Sequence, residues 1–220
     1  MNIAAQENPW LIWQLADSAF PSGGFAHSGG LEAAWQHGEI RDAAELASFL
    51  ESSLWQMASG QIPLLRAGHE APEQLGEWDD LCDAFLCNPV ANRASRLQGR
   101  AFLNSSVRIF GPAAQPGAEL AFAHFAPVFG AVTRSLAVDC ETAVELFAFQ
   151  TLRGLVAAAV RLGVAGPMEG QALQHRLAPR LREILLLTNG RCVDDLAGVA
   201  PLLDIWQGSQ DRLYSRLFQT

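Results

Sequence analysis

No lysine occurs anywhere in this 220-residue chain; all 15 of its basic side chains are arginine. That absence removes the phosphate-loop lysine, Schiff-base chemistry and lysine general bases together. Charge of either sign is scarce, at 17% of residues against about a quarter in average soluble domains. The balance is acidic, −8 with a pI near 5.1, which disfavours nucleic acid because phosphates demand a basic footprint. The four cysteines, Cys82, Cys87, Cys140 and Cys192, include no pair with the spacing of a zinc knuckle or a redox motif. Cys82 sits in an amphipathic pattern and reads as a small core residue. The five histidines, His27, His37, His69, His124 and His175, never fall at the spacing that puts two imidazoles on one helical face. No metal site and no cofactor are expected. The opening MNIAAQENPWLIWQLADSAF carries Glu7 and Asp17 and lacks a basic start, so it does not read as a signal peptide. The uncharged stretch of residues 120–133 is too short to span a bilayer and contains Pro127. The expectation is a soluble cytoplasmic protein whose partners include neither nucleic acid nor membrane.

What is abundant is apolar side chain, half of all residues. Either the core is very complete or some apolar surface is kept for partners. The period is helical nearly throughout. Asp42 and Glu45 form a capping box, after which Leu46, Phe49, Leu50, Leu54 and Met57 line one stripe, predicting a helix over 42–59. Asn88 and Pro89 suit an N-cap and first helical position for a long helix towards Phe110. GPAAQPG, residues 111–117, reads as a loop. Residues 141–163 form a further helix with Phe149, Leu152, Val156, Ala159 and Val160 on one face and Leu155 and Leu162 on a second. Apolar coverage that wide marks a central, buried helix. Pro167 starts the next helix, which Pro179 is expected to kink before Gly190 ends it. Strand-length β-branched runs are absent. The fold expected is all-α, one compact multi-helix domain over residues 1–220 with an exposed tail from about residue 208.

Three motifs stand out. PSGGFAHSGGLE, residues 21–32, holds four glycines, so the backbone turns tightly or something packs closely on it. No Gly-Lys-Ser/Thr follows, which argues against a phosphate cradle. A plain helix–turn–helix with Ser28 as N-cap is one reading; a turn around Gly23 and Gly24 that exposes Phe25 and His27 to a partner is the other. A lone histidine in a turn is more often a hydrogen-bonding residue than a metal ligand. Arg93, Arg96 and Arg100 share one helical stripe, ordinarily a solvated face. Finally, Tyr214, Arg216, Leu217 and Phe218 are an odd composition for a frayed tail and match the residue types that anchor interfaces. The alternative is that the tail packs back on its own domain.

Nucleophile-elbow spacing is missing around every serine. The adjacent carboxylates Asp79–Asp80 and Asp194–Asp195 diverge on a helix and look like helix-start or surface residues. A non-enzyme is therefore expected. The rival reading is a helical enzyme or small-ligand-binding domain with a pocket between apolar helices.

Taken together, the long blocks resemble the UreF family of urease accessory proteins. LADSAFPSGGFAHSGGLE is similar to the family's opening signature, and Asn92, Arg93, Ala94, Ser95, Gln98 and Gly99 to its middle block. HFAPVFGAVTRSLAV and LVAAAVRLGVAGPMEGQALQ, with Arg161, Leu162 and Gln171, resemble the next two, and Asp204 and LYSRLF the closing one. Departures are Gln210 and Asp211 where the family usually has His-Glu, the ending Gln219-Thr220, and Pro167. The resemblance implies an all-α fold, a homodimer within a larger complex and no catalysis. It also implies a scaffold bridging a UreD- or UreH-type accessory protein and the UreG-type GTPase, acting on urease apoprotein during GTP-dependent nickel insertion. Phe25, His27, Tyr214, Arg216, Leu217 and Phe218 are then the expected partner-binding residues.

Overall fold

The computed structural model describes residues 8–220, in which ten α-helices are linked by loops and single 3-10 turns, with no strand among the described residues. In chain order they are α1 (Pro9–Ala16), α2 (Leu31–Gln36), α3 (Ala43–Gly60), α4 (Ile62–Glu70), α5 (Leu75–Phe85), α6 (Pro89–Phe110), α7 (Phe125–Ser135), α8 (Cys140–Arg161), α9 (Pro167–Leu187) and α10 (Pro201–Ser209). Capping chemistry explains the starts. The Asp42 carboxylate accepts from the Ala44 and Glu45 amides at 2.9 Å, and Glu45 reaches back to the Arg41 amide at 2.7 Å. Asn88 accepts from Val90 at 3.0 Å ahead of Pro89, and Asp139 from Thr142 at 3.0 Å. Helix α9 continues through Pro179 to Leu187. The 111–117 loop contains one short 3-10 turn, Pro112–Ala114.

Helix α7 is the axis of the core, with every residue from 126 to 133 buried. A Cβ added at Gly130 would lie 2.0 Å from the Leu65 carbonyl oxygen, and one at Gly68 2.3 Å from that of Pro127. Helices α4 and α7 therefore touch backbone to backbone, which only glycine permits. Around this contact, Phe102, Phe125, Phe129 and Phe147 form an aromatic cluster with ring centroids 4.9 to 5.7 Å apart. Such pairs add about 0.5–1.5 kcal/mol each beyond their burial. Cys82 is buried in the same core.

Two expectations need correction here. Asp79 is no surface residue: it is completely buried, and its carboxylate accepts from the amides of Phe122, Ala123 and His124 at 2.7–2.9 Å. Those amides belong to the loop feeding α7, where Ala123 holds a positive φ of 61°. Three directed amides replace water around the charge, which is what lets a lone carboxylate be buried. The second is Phe149, 38% exposed rather than on the buried face. Its neighbours Gln150 and Arg153 donate to the last carbonyls of α1, Leu15 and Ala16, and the Arg153 guanidinium stands 5.8 Å from the Phe149 ring centroid.

Helix α8 is long and apolar enough to cross a membrane by length and composition. More than half of its most apolar window, 56%, is buried among neighbouring helices, the pattern of a core helix.

Candidate protein interaction site

The glycine-rich segment 21–32 and residues 210–220, far apart in sequence, form one surface unit. Gly23 has φ 77° and begins a 3-10 turn, Gly24–Ala26. Gly30, at φ 89°, opens α2; a Cβ there would stand 3.0 Å from the Gln207 amide of α10. This corrects the assignment of Ser28 as the cap. Gly30 occupies the N-cap position, and the Ser28 amide donates instead to the Thr220 carbonyl at 2.7 Å.

Residues 217–220 lie along this turn. The Gln219 amide donates to the Ala26 carbonyl at 2.9 Å, and His27 Nδ1 and Thr220 Oγ1 share a short hydrogen bond. Phe218 and Thr220 are buried, while Tyr214, Arg216 and Leu217 are exposed. The tail is thus only partly the free segment expected. The Phe218 ring and the Thr220 hydroxyl fill a groove in the chain's own surface, because Phe218 finds apolar cover there and the amides of this strap, residues 217–220, find acceptors.

The main acceptor is Glu32. Only 1% exposed, it accepts from Leu217 N at 2.6 Å, Phe218 N at 3.1 Å and Gln210 Nε2 at 2.7 Å. The Arg161 guanidinium, from the end of α8, is held between two rings. Its carbon stands 3.6 Å from the Phe25 centroid and 4.2 Å from that of Phe218, and Nη1 donates to the Phe25 carbonyl at 2.5 Å. Cation–π contacts of this kind contribute about 0.5–2 kcal/mol. Arg93 pairs with Asp211 at 2.8 Å, and Asp211 accepts also from Arg216 at 3.0 Å. Both are solvent-exposed pairs of small energetic weight.

Of the residues singled out from the sequence, Phe25, His27 and Phe218 come together, and Tyr214, Arg216 and Leu217 extend beside them. His27 is half-buried rather than presented at the tip. Burial first and the nearby Arg93 second push its pKa down to about 4, so the ring is neutral at physiological pH. Glu32 and Arg161 were not singled out as site residues. The available signal was a carboxylate directly after Gly-Gly-Leu in an apolar helix, and an arginine ending an apolar one.

Elsewhere, His124 is wholly buried between Ser95 Oγ at 3.0 Å and Asp83 Oδ1 at 3.1 Å. The composition is that of a hydrolase triad, but Ser95 Oγ accepts the Phe125 amide at 3.2 Å and the imidazole has no open face. The trio ties α5 and α6 to the start of α7. Burial lowers the His124 pKa, and the Asn92 amide donating to Asp83 holds that carboxyl below its usual range. No group of three or more His, Cys, Asp or Glu side chains converges for a metal among the described residues.

A family model described as UreF matches residues 40–178. "Urease accessory protein F" of Oryza sativa subsp. indica is 34% identical over 226 residues, covering 98% of this chain and 86% of that one. The protein of the same name from Arabidopsis thaliana is 34% identical over 229 residues, covering 99% and 95%. "Urease accessory protein UreF" of Paenarthrobacter aurescens is 30% identical over 221 residues, covering 95% and 96%.

Proposed function

The chain belongs to the UreF family of urease accessory proteins, and from that membership we propose that it serves urease maturation as a non-catalytic, cytoplasmic adaptor. Its partners on this reading are a UreD- or UreH-type accessory protein, a UreG-type GTPase and urease apoprotein, with a second copy of itself in the assembled complex. It times GTP hydrolysis by that GTPase while nickel is inserted, without holding the metal.

The observation that carries the reading is the composition of the joint surface. Phe25 is 73% exposed, Leu217 52% and Tyr214 fully, and Arg161 is held between the rings of Phe25 and Phe218. Phe25 and Arg161 are held against each other by the fold, and such pre-ordered aromatic and arginine side chains are what interface hot spots use, because little conformational entropy is left to lose on docking. The absence of lysine fits a chain that is not itself the GTPase. The rival, a small-ligand site between helices, has less behind it. Two surface grooves of about 770 and 730 Å³ exist. The first lies along α3 by Trp55 and Arg176, and the second along α6 by Arg93, Arg96 and Arg100.

The test is co-purification with the UreD-type partner. Tyr214→Ala and Arg216→Ala are expected to leave melting unchanged and to lower capture at least about tenfold, the weight of one hot-spot side chain. Capture at wild-type level by the double variant would refute the surface assignment.

A further inference from the structure

Glu32 poses a question that adaptor function does not answer. A buried carboxylate usually finds an arginine; this one is filled by amide groups instead. Two of them are successive main-chain N–H groups, Leu217 and Phe218. Two further main-chain bonds, Gln219 N to Ala26 O and Ser28 N to Thr220 O, complete the hold. Residues 217–218 form a bend whose two successive N–H groups converge on one carboxylate, and such main-chain capture, with one aromatic side chain seated in a pocket, is how domains recognise short peptides.

The segment's attachment to the rest of the fold is thin. Residues 214–216 are exposed, touching the body through Gln36 Nε2 on the Ser215 carbonyl at 3.0 Å and Arg216 on Asp211 at 3.0 Å. Phe218 is the only large apolar side chain of residues 214–220 that is buried. Segments held by few apolar contacts open locally at far lower cost than the core.

We propose that the groove formed by residues 24–32 is a peptide-recognition site, occupied in cis by residues 217–220, which leave and re-enter it as one unit while the helical core stays folded. Its ligand is a short peptide segment, bent so that two consecutive main-chain amides meet Glu32 and an aromatic ring meets the face of Arg161. The geometry is local to this chain and holds whichever partner the exposed surface serves.

Two measurements on the full chain test this. In native-state hydrogen exchange, the amides of Phe218, Gln219 and Ser28 are expected to share one opening constant, well above that of the Leu65 and Val128 amides in α4 and α7. Phe218→Ala and, separately, Glu32→Gln are expected to raise that shared constant at least about tenfold, the core constants rising by no more than the same factor and staying well below it. A labelled peptide of sequence LYSRLFQT is then expected to bind the Phe218→Ala chain saturably, at least about tenfold tighter than wild type, whose groove is already filled. Adding Glu32→Ala to Phe218→Ala is expected to abolish that binding. Strap amides that exchange only together with Leu65 and Val128 would overturn the proposal. So would a Phe218→Ala chain whose strap opens but takes up no peptide, or peptide binding indifferent to Glu32.

Discussion

Lowering the pH from 7.5 to 5.5 is expected to loosen the strap, and the size of the effect follows from His27. With the strap seated, the imidazole is half-buried against Thr220 and beside Arg93, and its pKa stands at about 4 instead of 6.5. The seated state therefore resists protonation that the open state accepts. A depressed histidine contributes stability that is complete above 6.5 and lost as pH falls towards 4. If opening returns the ring to water, the opening constant scales with the ratio of the two protonation polynomials, rising about tenfold between pH 7.5 and 5.5. The limiting contribution, reached below both values, is about 3 kcal/mol for a difference of this size. The other charged groups around the strap are Glu32 on α2, Arg161 on α8, Arg93 on α6, and Asp211 and Arg216 within 210–220. Two spectra suffice to check the argument. The His27 Cε1 proton resonance, followed against pH, is expected to titrate near 4 in the wild type and near 6.5 in Phe218→Ala. Arg93→Ala is expected to raise the wild-type midpoint, since that cation is the second cause of the depression. A wild-type His27 titrating near 6.5 while the Phe218 amide stays protected would refute the reasoning, as would a strap opening constant unchanged between the two pH values.

Three further outcomes follow from the same geometry. Gly130→Ala puts a methyl group 2.0 Å from the Leu65 carbonyl oxygen, so α4 and α7 must part; a loss of more than about 3 kcal/mol is expected in urea titration. Asp79→Ala strips three amides of their acceptor; at about 1–3 kcal/mol for each group left unmet, the expected loss is at least about 3 kcal/mol, seen as a lower urea midpoint. Deleting residues 213–220 removes the Phe218 burial, about 2 kcal/mol, so melting should fall by roughly 4–8 °C with helical circular dichroism retained. An unchanged melting temperature would mean the strap adds nothing to the isolated fold.

Much of the fold was legible because it depends on local patterns. The stripe from Leu46 to Met57, the Asn88–Pro89 start and the apolar breadth of α8 each record a helix and its buried face within one segment. The family blocks were equally legible, being contiguous. What could not be seen were pairings between distant segments. Nothing in the spacing of Gly68 and Gly130 announces that they lie against each other's helices, since a glycine within a helix is equally consistent with a neutral surface position. The same holds for Arg161. An arginine closing an apolar helix reads as a C-terminal dipole partner until Phe25 and Phe218 arrive on either side of it. The tail shows the limit most clearly: its composition announced contact, but composition cannot say with what.

Asp79 and Glu32 are the same device used in two places. Each is a buried carboxylate that clamps a non-helical segment through main-chain amides, and sequence reading passed over both because a carboxylate is normally assigned to solvent or to a cation. Their surroundings decide how they differ in service. Asp79 holds 122–124 at the start of α7, whose every residue from 126 to 133 is buried, so the clamp can open only with the core. Glu32 holds 217–218 after an exposed run, residues 214–216, with Phe218 as the one large buried apolar side chain. Releasing that clamp exposes Phe218 and the carboxylate, and leaves the interior untouched. A fold that fixes its central helix and its edge segment by identical chemistry thus obtains a permanent joint in one case and an exchangeable one in the other, the difference lying in how much apolar surface each clamp must uncover to open.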